Sequence, residues 1–173
     1  MRIAINGFGR IGRQFFLAAI EKGILNEIIA INDIGKLDNL AYLLKYDSVH
    51  GKRKEKISFK ENKLEINGKK IIFLNEKDPE KLPWKDLSID LVIEASGIFT
   101  KRDEASKHLT AGAKKVLITA PGKEGVDATI ILGVNEKCLK NSHKIISMAS
   151  CTSNCVIPMA KVLDDEFEIE KLK

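Results

Sequence analysis

Directly after an apolar run at residues 2–6 the chain reads Gly7-Phe8-Gly9-Arg10-Ile11-Gly12, and a helical pattern starts inside that stretch. The first glycine allows a tight turn, the second lets the backbone come close to a bound phosphate, and the third lets a helix seat against a strand. The unpaired N–H groups opening that helix then face an anion. Such spacing also arises by chance, so the flanking elements carry the argument. In residues 10–22, Ile11, Phe15, Ala18 and Ala19 fall on one helical face, the predicted core face, and Gly23 stands where a helix ends. A β-branched run at 28–32 completes strand, helix, strand, and Asp33 closes it about 20 residues after the glycines. A carboxylate there accepts hydrogen bonds from adenosine ribose hydroxyls and repels a 2′-phosphate, so NAD is expected rather than NADP.

Apolar runs at 91–93, 116–118, 129–132 and 145–146 read as further strands buried on both faces. Helices are expected at 37–44 and at 101–111, the latter with Thr100 as N-cap, Asp103 at the capping-box position and Gly112 as terminator. Runs at 63–66 and 69–74 flank Asn67-Gly68, a pair suited to a type I′ turn, and predict an antiparallel hairpin. The expected fold class is therefore α/β, a Rossmann-type doubly wound, mostly parallel sheet with a hairpin insertion. A last helix is expected over 150–163, kinked at Pro158, with Phe167 and Ile169 starting another strand. At 173 residues and 44% hydrophobic the chain can bury one core, which divides into a dinucleotide-binding domain at 1–150 and the start of a second domain at 151–173.

Composition excludes other classes. No stretch approaches the roughly 20 apolar residues of a membrane span, and a cytoplasmic protein is expected. Cys138, Cys151 and Cys155 are too few and odd in number for a disulfide framework. No histidine or carboxylate grouping completes a metal site around the last two, so no metal is expected. The net charge of +5 comes from dispersed lysines, densest at 52–63, and only 6% of residues are aromatic, which argues against nucleic acid as a partner.

Ser150-Cys151-Thr152-Ser153-Asn154 follows the apolar run at 145–146 and opens the last helix. A thiol there feels the positive end of the helix dipole and nearby N–H donors, which stabilise a thiolate and can also receive an oxyanion. Cys151 is the candidate nucleophile. Beside an NAD site it would attack an aldehyde, pass a hydride to the nicotinamide and keep a thioester for a second acceptor. Cys155, expected to face the core, and Cys138 read as inert. His50, His108 and His143 are assigned to a loop, the exposed side of a helix and a turn, leaving no convincing base.

Taken together, Asn6 to Arg13, Asn32-Asp33, Leu44 to Gly51, Ala95 to Thr100 and Ala149 to Cys155 resemble the glyceraldehyde-3-phosphate dehydrogenase family across essentially the whole chain. The cofactor set read from these motifs and the resemblance comprises Asn6, Gly7, Phe8, Gly9, Arg10, Ile11, Gly12, Asn32, Asp33, Lys77, Ser96, Gly97, Phe99 and Thr119. The resemblance implies that Arg10 and Ile11 meet the pyrophosphate and Asp33 the adenosine ribose. It places Lys77, Ser96, Gly97 and Phe99 about the adenine and Thr119 toward the nicotinamide. Cys151 is then the nucleophile, with Ser150 and Thr152 beside the substrate. The family's base is a histidine farther downstream, expected past Lys173. Ser153 stands where the family usually has Thr, and Met148 where it usually has Asn. The resemblance further implies a homotetramer acting on glyceraldehyde 3-phosphate and inorganic phosphate, with an erythrose-4-phosphate dehydrogenase or a non-catalytic dinucleotide-binding module as alternatives. Apolar surface left uncovered on this portion predicts self-association.

Overall fold

The computed structural model of the chain describes residues 1–169. Ile3–Asn6 (β1) is buried at every position and lies within a nine-stranded sheet. Ile3 and Ile5 pack toward Phe16, Leu40 and Leu44, whereas Ala4 joins Trp84 and Val92 in a separate cluster. This alternation gives the sheet an apolar layer on both faces, as doubly wound folds require.

Arg10–Glu21 (α1) follows the glycine loop and buries Gly12, Phe16, Leu17 and Ala19. The expected face is thus corrected: Ile11 is 51% exposed and Ala18 is exposed. The reason is distance. A Cβ on Gly12 would lie 2.0 Å from the Gly7 carbonyl oxygen, so the helix seats on its glycine and turns Ile11 outward. Gly23, at φ +73, ends the helix as expected. Ile28–Asn32 (β2) pairs parallel with β1, and Leu37–Lys45 (α2) buries Leu40, Ala41 and Leu44.

Tyr46–Asp47 (β3) and Gly51–Lys52 (β4) form a separate two-stranded ribbon. Ile57–Lys60 (β5), Lys63–Ile66 (β6) and Lys69–Leu74 (β7) make an antiparallel meander that joins the main sheet where β7 runs parallel to β2. Asn67 and Gly68 both take positive φ, 48° and 86°, the geometry expected of their turn. β5 was not expected, because its largely exposed residues sit among lysines and leave no apolar run to read.

Leu91–Glu94 (β8) pairs with β1 on the side away from β2. Arg102–Thr110 (α3) starts one residue later than expected. Thr100 is buried with its carbonyl bound by the Lys123 N–H, so Lys101 becomes the N-cap and Glu104, rather than Asp103, accepts from its N–H at 3.1 Å. Lys115–Ile118 (β9) follows the Gly112 terminator. Ala128–Thr129 (β10) is shorter than the expected strand because the Asn135 side chain takes the Ile131 N–H and donates to the Thr129 carbonyl, peeling the chain away. Ile145–Ser147 (β11) pairs parallel with β9 and β10. Cys151–Phe167 (α4) contains Pro158 and extends through Phe167, which is therefore helical and not the start of a strand. Ile169, the other residue of that expected start, lies in no strand, and residues 170–173 lie outside the described residues.

The main sheet runs β10-β11-β9-β8-β1-β2-β7-β6-β5. Registers Asn6↔Asn32, Asn6↔Glu94, Glu94↔Ile118 and Ile118↔Ser147 bring the last residues of five parallel strands to one edge. Both candidate sites of the sequence lie along that edge, where ligands of such sheets bind.

Candidate functional site

A cleft of about 440 Å³ opens above the ends of β1, β2 and β8, lined by Asn6, Gly7, Gly9, Asn32, Asp33, Ile34, Glu76, Lys77, Ala95, Ser96, Ile98 and Phe99. The glycines divide by role. Gly7 has φ +92, and a Cβ there would stand 2.5 Å from the Ser96 amide nitrogen. Gly7 and Gly12 therefore serve contacts within the protein. Gly9 has no protein atom within 4 Å of its would-be Cβ and lines the cleft, so the space beside it is left for a ligand. Gly9 caps α1 without a side-chain hydrogen bond, and no acid occupies the first turn. The positive end of the helix is thus unopposed, which suits a pyrophosphate.

Asp33 is held from two sides: its carboxylate accepts from the Phe8 N–H at 2.6 Å and from the Gly35 N–H at 2.7 Å. Each oxygen keeps a further lone pair for a ribose hydroxyl. A dinucleotide fits this arrangement.

The cleft floor is a hydrogen-bonded chain that sequence reading missed. Asn6 Nδ2 donates to Glu94 Oε2 at 2.6 Å, and Asn6 Oδ1 accepts from Asn32 Nδ2 at 2.7 Å. Asn32 closes a pair of bonds with the Glu76 backbone. Asn32 is committed to the floor through both Nδ2 and Oδ1, whereas Asn6, which lines the cleft, keeps one N–H and one lone pair. Glu94, 1% exposed, also binds His108 Nε2 at 2.9 Å, and His108 Nδ1 accepts from Trp84 Nε1 at 3.0 Å. His108 was expected on the exposed side of its helix; it is fully buried, because α3 turns that position toward Glu94 and Trp84. The available signal was an acid ending the apolar run at 91–93.

Other expected cofactor residues lie around the cleft. Phe8 is buried edge-on against Phe16 and offers only its N–H. Arg10 and Ile11 stand exposed at the start of α1. Gly97 is exposed at φ +75, and Thr119 binds the Glu94 carbonyl through both its N–H and its hydroxyl. Ile34 and Ile98, each more than 60% exposed, are cleft residues that no local chemistry had singled out.

Cys151 lies on the same edge, after β11, two strands beyond β8. At ~4.8 Å per strand that is roughly 10 Å from the end of β8. The turn into α4 is built tightly: Ala149 adopts φ 59, Ser147 Oγ accepts from the Ala149 and Gly122 N–H groups, and Asn154 Nδ2 donates to the Met148 and Ser150 carbonyls. Ser150 caps the helix by accepting from the Ser153 N–H at 3.0 Å, and its hydroxyl also bonds those of Thr152 and Ser153. The first amides of the helix, at Cys151 and Thr152, have no intrahelical partner. Cys155 does not face a core; like Cys151 and Cys138 it is exposed, because α4 buries none of its described residues. Asp127 anchors the neighbouring loop to β11 and α3. Desolvation raises its pKa, but the Arg102 guanidinium and the Ile145 and Lys144 N–H groups outweigh it and hold the carboxyl at about 2.

Among the described residues no helix is long and apolar enough to cross a membrane, and no group of three or more His, Cys, Asp or Glu could hold a metal ion. Residues 1–102 match the family model described as the NAD binding domain of glyceraldehyde 3-phosphate dehydrogenase. The chain is similar to glyceraldehyde-3-phosphate dehydrogenases of Streptomyces coelicolor (51% identical over 172 residues, 99% of this chain and 51% of the relative), Geobacillus stearothermophilus (51% over 170 residues, 98% and 50%) and Thermotoga maritima (53% over 169 residues, 97% and 50%). It spans about half the length of the curated relatives it matches.

Proposed function

We propose, because this chain belongs to the glyceraldehyde 3-phosphate dehydrogenase family of oxidoreductases and carries its NAD-binding domain, that Cys151 is the nucleophile of a phosphorylating aldehyde oxidation and that the cleft presents NAD to it. The observation that carries the reading is the doubly anchored Asp33 beside an uncapped helix start. In this reading Asp33 accepts from the adenosine ribose hydroxyls, the first amides of α1 receive the pyrophosphate beside Arg10 and Ile11, and Lys77, Ser96, Gly97 and Phe99 surround the adenine. Thr119 stands toward the nicotinamide.

Bound NAD supplies the two-electron acceptor. The Cys151 thiolate forms a bond to the aldehyde carbon, and the carbonyl π pair moves to oxygen, where the Cys151 and Thr152 N–H groups can receive it. Ser150 and Thr152 flank the substrate. The base that takes the thiol proton can lend it to this oxygen and take it back as the C–H bond breaks, its electron pair passing to the acceptor and a thioester remaining. Inorganic phosphate then cleaves the C–S bond to give an acyl phosphate and the free thiol.

The base is not among the chain's histidines. His108 is committed to Glu94 and Trp84, His50 follows β3, and His143 precedes β11 at the sheet edge opposite Cys151. Residues 1–150 are read as the NAD-binding domain and 151–173 as the start of the catalytic domain, a division supported by the absence of buried residues on α4. The whole protein is read as a cytoplasmic homotetramer acting on glyceraldehyde 3-phosphate and inorganic phosphate, on the strength of the family. Calorimetric titration with NAD and NADP, followed by an oxidation assay with glyceraldehyde 3-phosphate and phosphate on the same sample, tests this. NAD binding in preference to NADP, without turnover, is expected. Turnover by the chain alone would mean that one of its own histidines serves as base.

A further inference from the structure

We infer that Trp84 and His108, neither of which lines the cleft, are positioning residues for the cofactor, acting through Glu94 and Phe99. The inference rests on the reading that the cleft holds NAD.

Glu94 is a buried carboxylate at the end of a central strand, and it is satisfied by donors alone: Asn6 Nδ2, His108 Nε2, and the N–H and hydroxyl of Ser96. Such a group demands that every neighbour present a proton. His108 can do so in one tautomer only. The Trp84 indole N–H is a donor with no acceptor capacity, so at 3.0 Å it requires a lone pair on His108 Nδ1 and leaves the proton on Nε2, aimed at Glu94. Trp84 therefore fixes which form of the histidine the carboxylate meets. Without the indole N–H the ring could present its other tautomer, setting a lone pair against a carboxylate oxygen.

The consequences reach the cleft by three contacts. Glu94 Oε1 holds the Ser96 N–H at 2.8 Å, and the Ser96 and Gly7 backbones approach too closely to admit a Cβ, so Ser96 is the wall against which the glycine loop packs. Glu94 Oε2 holds Asn6, which holds Asn32, which holds the Glu76 backbone; all line the cleft. The His108 ring also meets the Phe99 ring edge-on, 6.3 Å between centroids, and Phe99 is part of the cleft wall. Among the described residues no buried side-chain nitrogen or oxygen lacks a partner, so removing His108 leaves buried groups on Glu94 and Trp84 without theirs.

The test compares wild type, His108→Leu, His108→Gln and Trp84→Phe, measuring the NAD Kd by calorimetry at a temperature where circular dichroism finds each folded, with hydrogen exchange at the Ser96 amide as a second readout. Leucine removes donor and acceptor together; glutamine can offer Trp84 an oxygen and Glu94 an N–H. Expected are a Kd about tenfold weaker for His108→Leu and Trp84→Phe, with faster Ser96 exchange, and recovery to within about threefold of wild type in His108→Gln. If His108→Leu does not fold, Trp84→Phe against wild type decides. Variants that lose thermal stability yet bind NAD as wild type does would overturn this inference alone. No NAD binding by wild type would overturn the reading of the cleft, and this inference with it.

Discussion

The first and last helices begin at the same sheet edge through the same strand, turn, helix step, yet they end in opposite situations. α1 buries four residues against the chain's own sheet, while α4, longer at 17 residues, buries none and exposes Val156, Met159, Val162, Leu163 and Phe167. Their turns differ as well. At β1 the left-handed position is Gly7, where positive φ carries no side-chain penalty; at β11 it is Ala149, held there by bonds from Ser147 and Asn154 around it. The cofactor end is thus complete in its packing among the described residues. The Cys151 end is complete only in its local hydrogen bonds, which place Cys151 but do not seat its helix.

The sharpest test of this contrast exchanges the two turn residues. Gly7→Ala should cost about 3 kcal/mol in denaturant unfolding and abolish NAD binding, because it combines positive φ with a backbone clash. Ala149→Gly should instead stabilise by up to about 1 kcal/mol and leave NAD binding unchanged. Equal effects at both sites would break the comparison.

Next in size is the Asp127 anchor between the two ends. Asp127→Asn should cost about 1.5 kcal/mol at neutral pH, moderated because Arg102 is partly exposed and screened. A carboxyl lowered from 3.8 to about 2 adds stability that is fully present above pH 3.8 and lost as pH falls through 2. The gap between wild type and variant should therefore close across that window in acid titrations followed by circular dichroism. A gap independent of pH would remove the ion pair from the account.

Ser150→Ala should cost about 1 kcal/mol, confined to the start of α4, where hydrogen exchange would detect it while the NAD Kd stays unchanged. A parallel loss of NAD affinity would mean that the two ends are coupled. Smallest in stability terms, Val156→Lys with Val162→Lys should shift unfolding by less than about 0.5 kcal/mol while suppressing self-association in light scattering. A wild-type chain that stays monomeric at high concentration would contradict the exposed apolar face as its driver.

Much of this was legible in the chain because it is local. The glycine run, Asp33 and the Asn67-Gly68 turn declare themselves through backbone angles and spacings of a few residues, and so do the strands of the parallel sheet. Other features misled for an equally physical reason. The face of α1 looked centred on Ile11 until the approach of Gly12 to Gly7 decided the helix's rotation, and Cys155 looked buried because helical periodicity says which residues share a face but not whether anything covers it.

The order of the helices and of the parallel strands, the glycine loop, the acid that closes it and the helix that begins at Cys151 were thus readable from the chain alone, since each follows from steric and hydrogen-bonding preferences of neighbouring residues, whereas β3, β4 and β5 were not. It took the assembled sheet to bury Glu94, to turn His108 inward between Glu94 and Trp84, and to bond Asn6 into the floor. Those bonds join residues 14, 24 and 88 positions apart, and separations of that kind become contacts only when the sheet has formed.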